Sequence, residues 1–449
     1  MADRFEQQKN VIADLIAKHK WDDLRRRVGA MQPPDIADLL LRLPKRDRVL
    51  LFRALPRDVS ADTFSELSHE NAQYFLHELS DEETRALLAE LEPDDRAELL
   101  EELPGVVVQK LLNLLGPKDR AKTQALLGYP EESTGRLMTP GYVAIRPNWT
   151  AVEALAHVRK RDPKSETVNV LYVTDETWHL LGVLSLRQLI FAEPNAVIES
   201  FMNSPVVKAL ATDDREKAAA FMSKYNLAVL PVVDKDNVLV GIVTVDDVMD
   251  VVEEETTEDF YKSAGVDTLK TNLGRAGVGM LYGGRIWWLV TLIFINIISG
   301  TIIAYYEHTI AKAIVLVSFL PLLIASAGNA GSQAATLAIR ALAVGDIRAR
   351  DWFQIFAKEL AVSAALGATM GFVVWWLGFW RAGPEIAVVV TLTMILIVVI
   401  GSTVGVSLPF LLRKLKMDPA VASAPLVATI SDVLGVFVYF ALASALLNL

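Results

Sequence analysis

Five apolar runs of membrane length fill the chain from about residue 285 onward, and that pattern limits the fold more than any other feature. They read as about 285–306, 313–342, 357–380, 386–412 and 418–447, the last opening at Asp418-Pro419, where a cap precedes a Pro in the first turn. A helix needs about 20 such residues to cross a bilayer core. Backbone groups in lipid must be hydrogen-bonded within the segment, so each run is predicted as a spanning helix. Lys and Arg orient them. Arg340, Arg348, Arg350 and Lys358 lie between the second and third spans, and Arg413, Lys414 and Lys416 between the fourth and fifth; the opposite loops hold Lys312 and Arg381. Positive-inside then places the preceding domains in the cytoplasm of a plasma (inner) membrane protein and the C-terminus outside. An odd number of spans forbids two equal inverted halves within one chain, which makes a pore on a dimer axis attractive.

Composition matters here because it is segregated. The hydrophobic fraction is 52% and the mean hydropathy +0.32, yet residues 1–270 carry a formal charge of −14 and residues 271–449 one of +4. An acidic soluble half on an apolar half argues against nucleic acid and for cations as ligands. Cysteine is absent, which removes disulfides and thiolate metal sites. The start, Met-Ala-Asp-Arg-Phe-Glu-Gln-Gln, has no apolar stretch and is expected to carry no cleavable signal.

The soluble half contains two internal repeats. Leu43, Leu55, Leu67, Leu79, Leu91, Leu103, Leu115 and Leu127 recur every 12 residues, with Met31 one period earlier. Most are followed by Pro, Ser, Glu or Gly, so each unit reads as a short helix opened by a cap or Pro and closed at a Leu. Such helices are marginal alone and must stack. They predict an all-α superhelical domain over 1–128, with a linker at 129–136. A second duplication has a period near 60: Leu137-Met138-Thr139-Pro140 returns as Phe201-Met202-Asn203-Ser204-Pro205, and Leu181-Gly182-Val-Leu-Ser-Leu-Arg187 as Val240-Gly241-Ile-Val-Thr-Val-Asp246. Residues 137–250 resemble a tandem pair of CBS domains. That resemblance implies an α/β regulatory module able to bind adenine nucleotides. Eight acids then crowd the fourteen residues from Asp246 to Asp259, and 251–280 reads as an acidic connecting helix leading to a membrane domain over 281–449.

Asp432 is the one acid in the interior of the last apolar run. A carboxylate at bilayer depth costs about 2.5–3.5 kcal/mol and usually faces a bundle interior or a water path. Pro425, Ala428, Thr429 and Asp432 share a helical face, offering a carboxylate, a hydroxyl and, near Pro425, a carbonyl freed from its hydrogen bond; hard cations want these oxygens. The second span is interrupted by Ser326-Ala-Gly328-Asn329-Ala-Gly331-Ser332-Gln333, where Asn329 and Gln333 sit at i and i+4 and read as a lining. The six His are scattered, which disfavours a transition-metal path. One carboxylate per chain, doubled across a dimer axis, suits an ion that keeps its water; from this chemistry Mg²⁺, Ca²⁺ and Mn²⁺ remain open.

The Gly328-Asn329-Ala-Gly331-Ser332-Gln333 and Pro425-Leu-Val-Ala-Thr-Ile-Ser-Asp432 motifs, with the helical repeat, CBS pair, acidic connector and five spans, resemble the MgtE family of magnesium transporters and channels. The resemblance implies a homodimer with a central Mg²⁺ pathway, Asp432 selecting the ion and Ala428 contributing through its backbone. It implies closure by Mg²⁺ bridging the helical domain, the CBS pair and a connecting "plug" helix, through Asp62, Asp94 and Glu98, through Asp214, Glu216, Asp247 and Asp250, through Glu255, Glu258 and Asp259, and at Asp418. Arg187 matches a nucleotide-contacting position, which makes ATP a candidate ligand, with Gln188 following where an acid is usual. Ala424 and Ser332 stand where some members have Asn, and Asn226 replaces an acid. The alternatives are a transporter of another divalent ion such as Mn²⁺ or Co²⁺, or a membrane-anchored CBS sensor without flux. No nucleophile–base or phosphate-loop pattern points to an enzyme.

Overall fold

The structure is a computed structural model that describes residues 2–447 except 102, 161–165, 270–272, 275 and 345. It divides into two compact units, residues 1–253 and 254–449.

In the first unit, helices Ala2–Ala17 and Trp21–Val28 precede eight more, from Pro33–Arg42 to Pro117–Leu127, laid down at the interval of the leucine repeat. Pro44, Pro56, Ser68, Ser80, Pro104 and Gly116 precede the helical residues of their units. Leu43, Leu55, Leu79, Leu91 and Leu115 leave the helix in extended geometry, with ψ between 144° and 155°. Each therefore turns the chain while its side chain enters the seam. Burial alternates: Leu43, Leu67, Leu91 and Leu115 are buried, and Leu55, Leu79, Leu103 and Leu127 are half-buried against them. Alternate helices stack accordingly, Pro33–Arg42 on Arg57–Ser65, then on Asp81–Glu90, then on Gly105–Leu114. Three arginines lock the turns. Arg48, Arg96 and Arg120 each stand five residues after a buried Leu and donate to its carbonyl, at 2.8, 2.5 and 3.4 Å. Helix-end carbonyls without an intrahelical partner are thereby satisfied.

The same unit contains two small sheets of identical topology. Strands β1 (Val143–Ile145), β2 (Val170–Thr174) and β3 (Leu180–Ser185) form one; β4 (Ala209–Leu210), β5 (Val229–Val233) and β6 (Leu239–Thr244) form the other. In each, the first pair is parallel and the second antiparallel, with a register shift at the same place. The copies are crossed. Thr139 bridges to Ile242 of the second copy, and Asn203 to Val183 of the first. Met138 packs on Gly241 and Met202 on Gly182; a Cβ on either glycine would lie 2.6–2.7 Å from the methionine sulfur. This close approach explains why the Met and Gly positions recur in both copies. The acidic segment is helical, Val245–Ser263.

Among the described residues the second unit has five helices long and apolar enough to span a membrane: Val278–Tyr305, Ile314–Ala343, Trp352–Ala382, Pro384–Lys414 and Ala424–Leu447. The first and third begin earlier than the hydropathy suggests. The second opens as a 3₁₀ turn, Ile314–Phe319, before Leu320–Ala343. One expectation is corrected. The fifth helix does not start at Asp418-Pro419; those residues cap and open a separate 3₁₀ turn, Pro419–Val421, and the long helix starts at Ala424. Pro425 then lies in the first turn, where a missing N–H breaks no helical bond, so no backbone carbonyl is freed by it. The second and fourth spans touch backbone to backbone: a Cβ on Gly331 would sit 2.8 Å from the Gly401 carbonyl oxygen, and Gly401 and Gly405 meet the Ala327 and Gly331 carbonyls. Among the described residues of the first span only Leu292 is buried.

Candidate cation sites

The membrane unit places the expected lining residues on two adjacent helices. Asp432 and Ala428 of the fifth span are half-buried and flank Gly328 of the second: a Cβ there would lie 3.3 Å from the Ala428 Cβ and 3.5 Å from Asp432 Oδ1. Gly328 thus allows the backbone of the second span to reach the carboxylate. Asn329 and Gln333 are exposed, and Thr336 and Arg340 extend the same polar face. Thr429 stands apart. It is buried, and its hydroxyl donates to the Pro425 carbonyl at 2.8 Å. Ser332 donates to the Ala424 carbonyl at 3.2 Å, so the two positions that depart from the family motif touch each other. The arrangement offers one carboxylate with amide and carbonyl oxygens, a set suited to a hydrated hard cation.

In the first unit, the helical repeats and the CBS pair bring acids together, with the buried Arg96 beside Asp94 and Asp95. Asp94 is 8% exposed and its Oδ1 has no hydrogen-bond partner among the described residues. Burial first, then Asp247, Asp95 and Glu92, push its pKa well above the usual range. Burial followed by Glu92, Asp247, Glu98 and Asp62 raises Asp95 to about 7. Asp247 rises to about 6, chiefly by burial, although Thr244 donates to it at 2.5 Å. Glu166, just ahead of β2, is raised by burial and by Glu92, Asp94 and Asp247. Glu66 is raised by burial, Asp250 and Asp62. Asp62, Asp94, Glu98, Asp247 and Asp250 were legible as candidates. Glu66, Glu92, Asp95 and Glu166 were not, although Glu92 and Asp95 adjoin the Pro93-Asp94 helix start. Among the described residues no three such side chains form a ready ligand cage. What the seam supplies is a concentration of carboxylates that raise one another's pKa.

Asp214 and Glu216 lie elsewhere. Asp214 caps helix Arg215–Tyr225 by accepting from the Glu216 N–H at 2.8 Å, and it borders a cleft of about 440 Å³ with Glu131, Glu132 and Asp213. Asn226 ends that helix in the left-handed region, φ 51°, a conformation that Asn tolerates better than most residues. Arg187 is exposed at the start of helix Leu186–Phe191, and the Gln188 side chain is engaged in a capping box with Ser185.

In the second unit, Glu255, Glu258 and Asp259 share a face of the connecting helix with Lys262. Lys262 Nζ lies 2.7 Å from Asp418 Oδ2 and contacts Glu258 Oε1. Asp259 is raised by burial and then by Asp418. The expected plug residues and Asp418, ahead of the fifth helix, are therefore together.

Residues 320–442 match a family described as divalent cation transporters, residues 31–132 match its intracellular N domain, and 135–195 and 198–254 each match a CBS domain. The chain is 41% identical over 428 residues to the magnesium transporter MgtE of Thermus thermophilus, covering 95% of each chain, and 33% identical over 435 residues to that of Bacillus subtilis, covering 97% of this chain and 96% of that one. It resembles the solved cytosolic domain of the Mg²⁺ channel MgtE in complex with ATP (38% identity, TM-score 0.52, 54% of this chain and 99% of that one). It also resembles the soluble part of a magnesium transporter (30% identity, TM-score 0.53, 56% and 99%). Fold and matches define a divalent-cation transporter with a soluble helical and CBS portion, not an enzyme. The chain belongs to the MgtE family.

Proposed function

We propose that this protein carries Mg²⁺ across the membrane and is closed by Mg²⁺ on the side of its soluble domains. The observation that carries the transport reading is Asp432, a lone carboxylate within an apolar span, packed on Gly328 of the helix that also carries the exposed Asn329 and Gln333. With two copies related by a twofold axis, Asp432 and its symmetry mate would balance a dication that keeps most of its water, while Ala428, Asn329 and Gln333 orient that water. A homodimer gives the exposed polar face of the second span a hydrated neighbour in place of lipid.

Regulation follows from the acid seam. Mg²⁺ held by Asp94, Glu98, Asp247 and their neighbours Glu92, Asp95 and Glu166, and by Asp62, Glu66 and Asp250, would offset the repulsion between the helical domain and the CBS pair. The buried, unpartnered Asp94 oxygen fits such an ion. Glu255, Glu258, Asp259 and Asp418 would act likewise at the plug, and Asp214 and Glu216 form a peripheral site. Adenine nucleotide, ATP included, is assigned to the CBS pair near Arg187. The Lys and Arg loops support an orientation with the soluble domains and the connecting helix in the cytoplasm and the C-terminus outside, and the membrane we propose is the plasma membrane. Mg²⁺ flux into liposomes carrying the purified protein, with Mn²⁺ and Co²⁺ as competitors, tests this. Absence of flux refutes transport, and preference for a competitor moves the assignment to that ion.

A further inference from the structure

The cluster at Asp418, ahead of the fifth helix, is built around a lysine. Asp418 is fixed from both sides. Its Oδ1 accepts the Ala420 N–H at 2.8 Å, which caps the turn Pro419–Val421, and its Oδ2 receives Lys262 Nζ at 2.7 Å. The same ammonium contacts Glu258 Oε1, one helical turn away on the connecting helix. Glu255 and Asp259 lie on that face as well, and Lys262 contacts two of these carboxylates at once, Asp418 and Glu258. Partial burial opposes the charge on Lys262, but its hydrogen bonds to Asp418 and Glu258 outweigh this and raise its pKa. It stays an ammonium at any physiological pH.

We propose that Lys262 is a tethered counter-ion: without divalent cations its ammonium ties the connecting helix to Asp418, and a dication entering these carboxylates displaces it. This rests on the reading that Mg²⁺ closes the path from the side of the connecting helix. An ammonium at hydrogen-bond distance occupies one approach to Asp418 Oδ2, and a dication bound there would repel it, so metal and lysine compete for that carboxylate. A thermodynamic consequence follows. Once Mg²⁺ saturates the cluster, Lys262 no longer contributes to closure. Its effect is confined to low Mg²⁺, where it holds the plug partly engaged.

Zero-length carbodiimide coupling of the full-length protein tests the contact directly, because it joins amines only to carboxylates already in contact. A Lys262–Asp418 amide, identified by mass spectrometry, should form in metal-free buffer. MgCl₂ should suppress it several-fold, and NaCl of equal ionic strength should do so far less. No such amide without metal, or equal suppression by both salts, overturns the proposal. In liposomes, Lys262→Met should raise flux with the connecting-helix side free of Mg²⁺ by about threefold to fivefold, the scale of one partly exposed ion pair. Flux at saturating Mg²⁺ should not change, and Lys262→Arg should stay near the parent. Parent-like flux of Lys262→Met in the absence of Mg²⁺ also overturns it. If the parent protein itself ignores Mg²⁺ on that side, the gating reading fails, while the coupling result still decides the role of Lys262.

Discussion

Two populations of acids in this molecule are governed by opposite circumstances. In the membrane unit Asp432 stands alone in an apolar helix, and its energetics are set by the low dielectric around it. In the soluble unit Asp94, Asp95, Glu166 and Asp247 crowd one seam with Glu92, where burial acts first and each acid adds repulsion to the others. A lone group has no substitute, so one change removes its function. A crowd is redundant: losing one member relieves repulsion on the rest, and the response is graded. Selection of an ion and sensing of its concentration therefore call for different architectures, one sparse and one dense.

The largest expected effect lies at the sparse end. Asp432→Asn, nearly isosteric, should reduce Mg²⁺ flux by about 100-fold, since a charge at membrane depth is worth a few kcal/mol. Flux within a few-fold of the parent would show that shape, not charge, does the selecting. At the dense end, Asp94→Asn with Asp247→Asn should leave the helical domain docked without metal. The readout is tryptic cleavage at Arg136, in the segment between that domain and the CBS pair. In the parent Mg²⁺ should slow this cleavage; in the double variant the slowing should shrink by about 30-fold, as expected if each of the two ion contacts contributes about 1 kcal/mol. An unchanged Mg²⁺ response in the double variant would break the contrast.

A smaller effect should come from pH. Asp95 and Asp247 titrate at about 7 and about 6 when folded, against an ordinary Asp near 3.8–3.9. The folded state binds more protons than the unfolded state in this window, so stability falls as pH rises from about 4 to 7. In metal-free buffer, cleavage at Arg136 should be faster at pH 8 than at pH 6, after correction with an unfolded reference peptide. Asp95→Asn should flatten that difference; a slower rate at pH 8 would reverse the sign and sink the account. The smallest effect is expected for Asp214→Asn. Asn caps a helix as well as Asp does, so protection by Mg²⁺ should change by less than about twofold. A shift as large as that of the double variant would make the peripheral site central.

Much of this was legible because it is periodic or local. The leucine interval gave the stacked helices, hydropathy the five spans, and the duplicated Met and Gly motifs the paired sheets. Asp432 declared itself by standing in an apolar run. What escaped the sequence depends on contacts between distant segments. Glu166 joins Glu92 and Asp94 across more than seventy residues, and nothing periodic marks it. The role of Arg48, Arg96 and Arg120 needs the helix ends to be placed before their carbonyls have an address. The late start of the fifth helix escaped because Asp418-Pro419 and Ala424-Pro425 are both credible openings, and only packing separates them. Thr429 shares a helical face with Asp432, yet its hydroxyl is turned back to its own backbone.

The crossed seating of Met138 on Gly241 and Met202 on Gly182 has a consequence for biosynthesis. Neither half of the pair can mature alone, because each finishes its sheet with a segment from the other. The nascent chain must extend about 100 residues past Met138 before Gly241 leaves the ribosome. At roughly 5–20 residues per second, that is about 5–20 s in which the Met138 segment has no sheet to join. During this interval the half-made pair is open to proteases and to the wrong neighbour, including the matching half of another nascent copy. Exchange between chains on one polysome would give an intertwined product with every local contact satisfied.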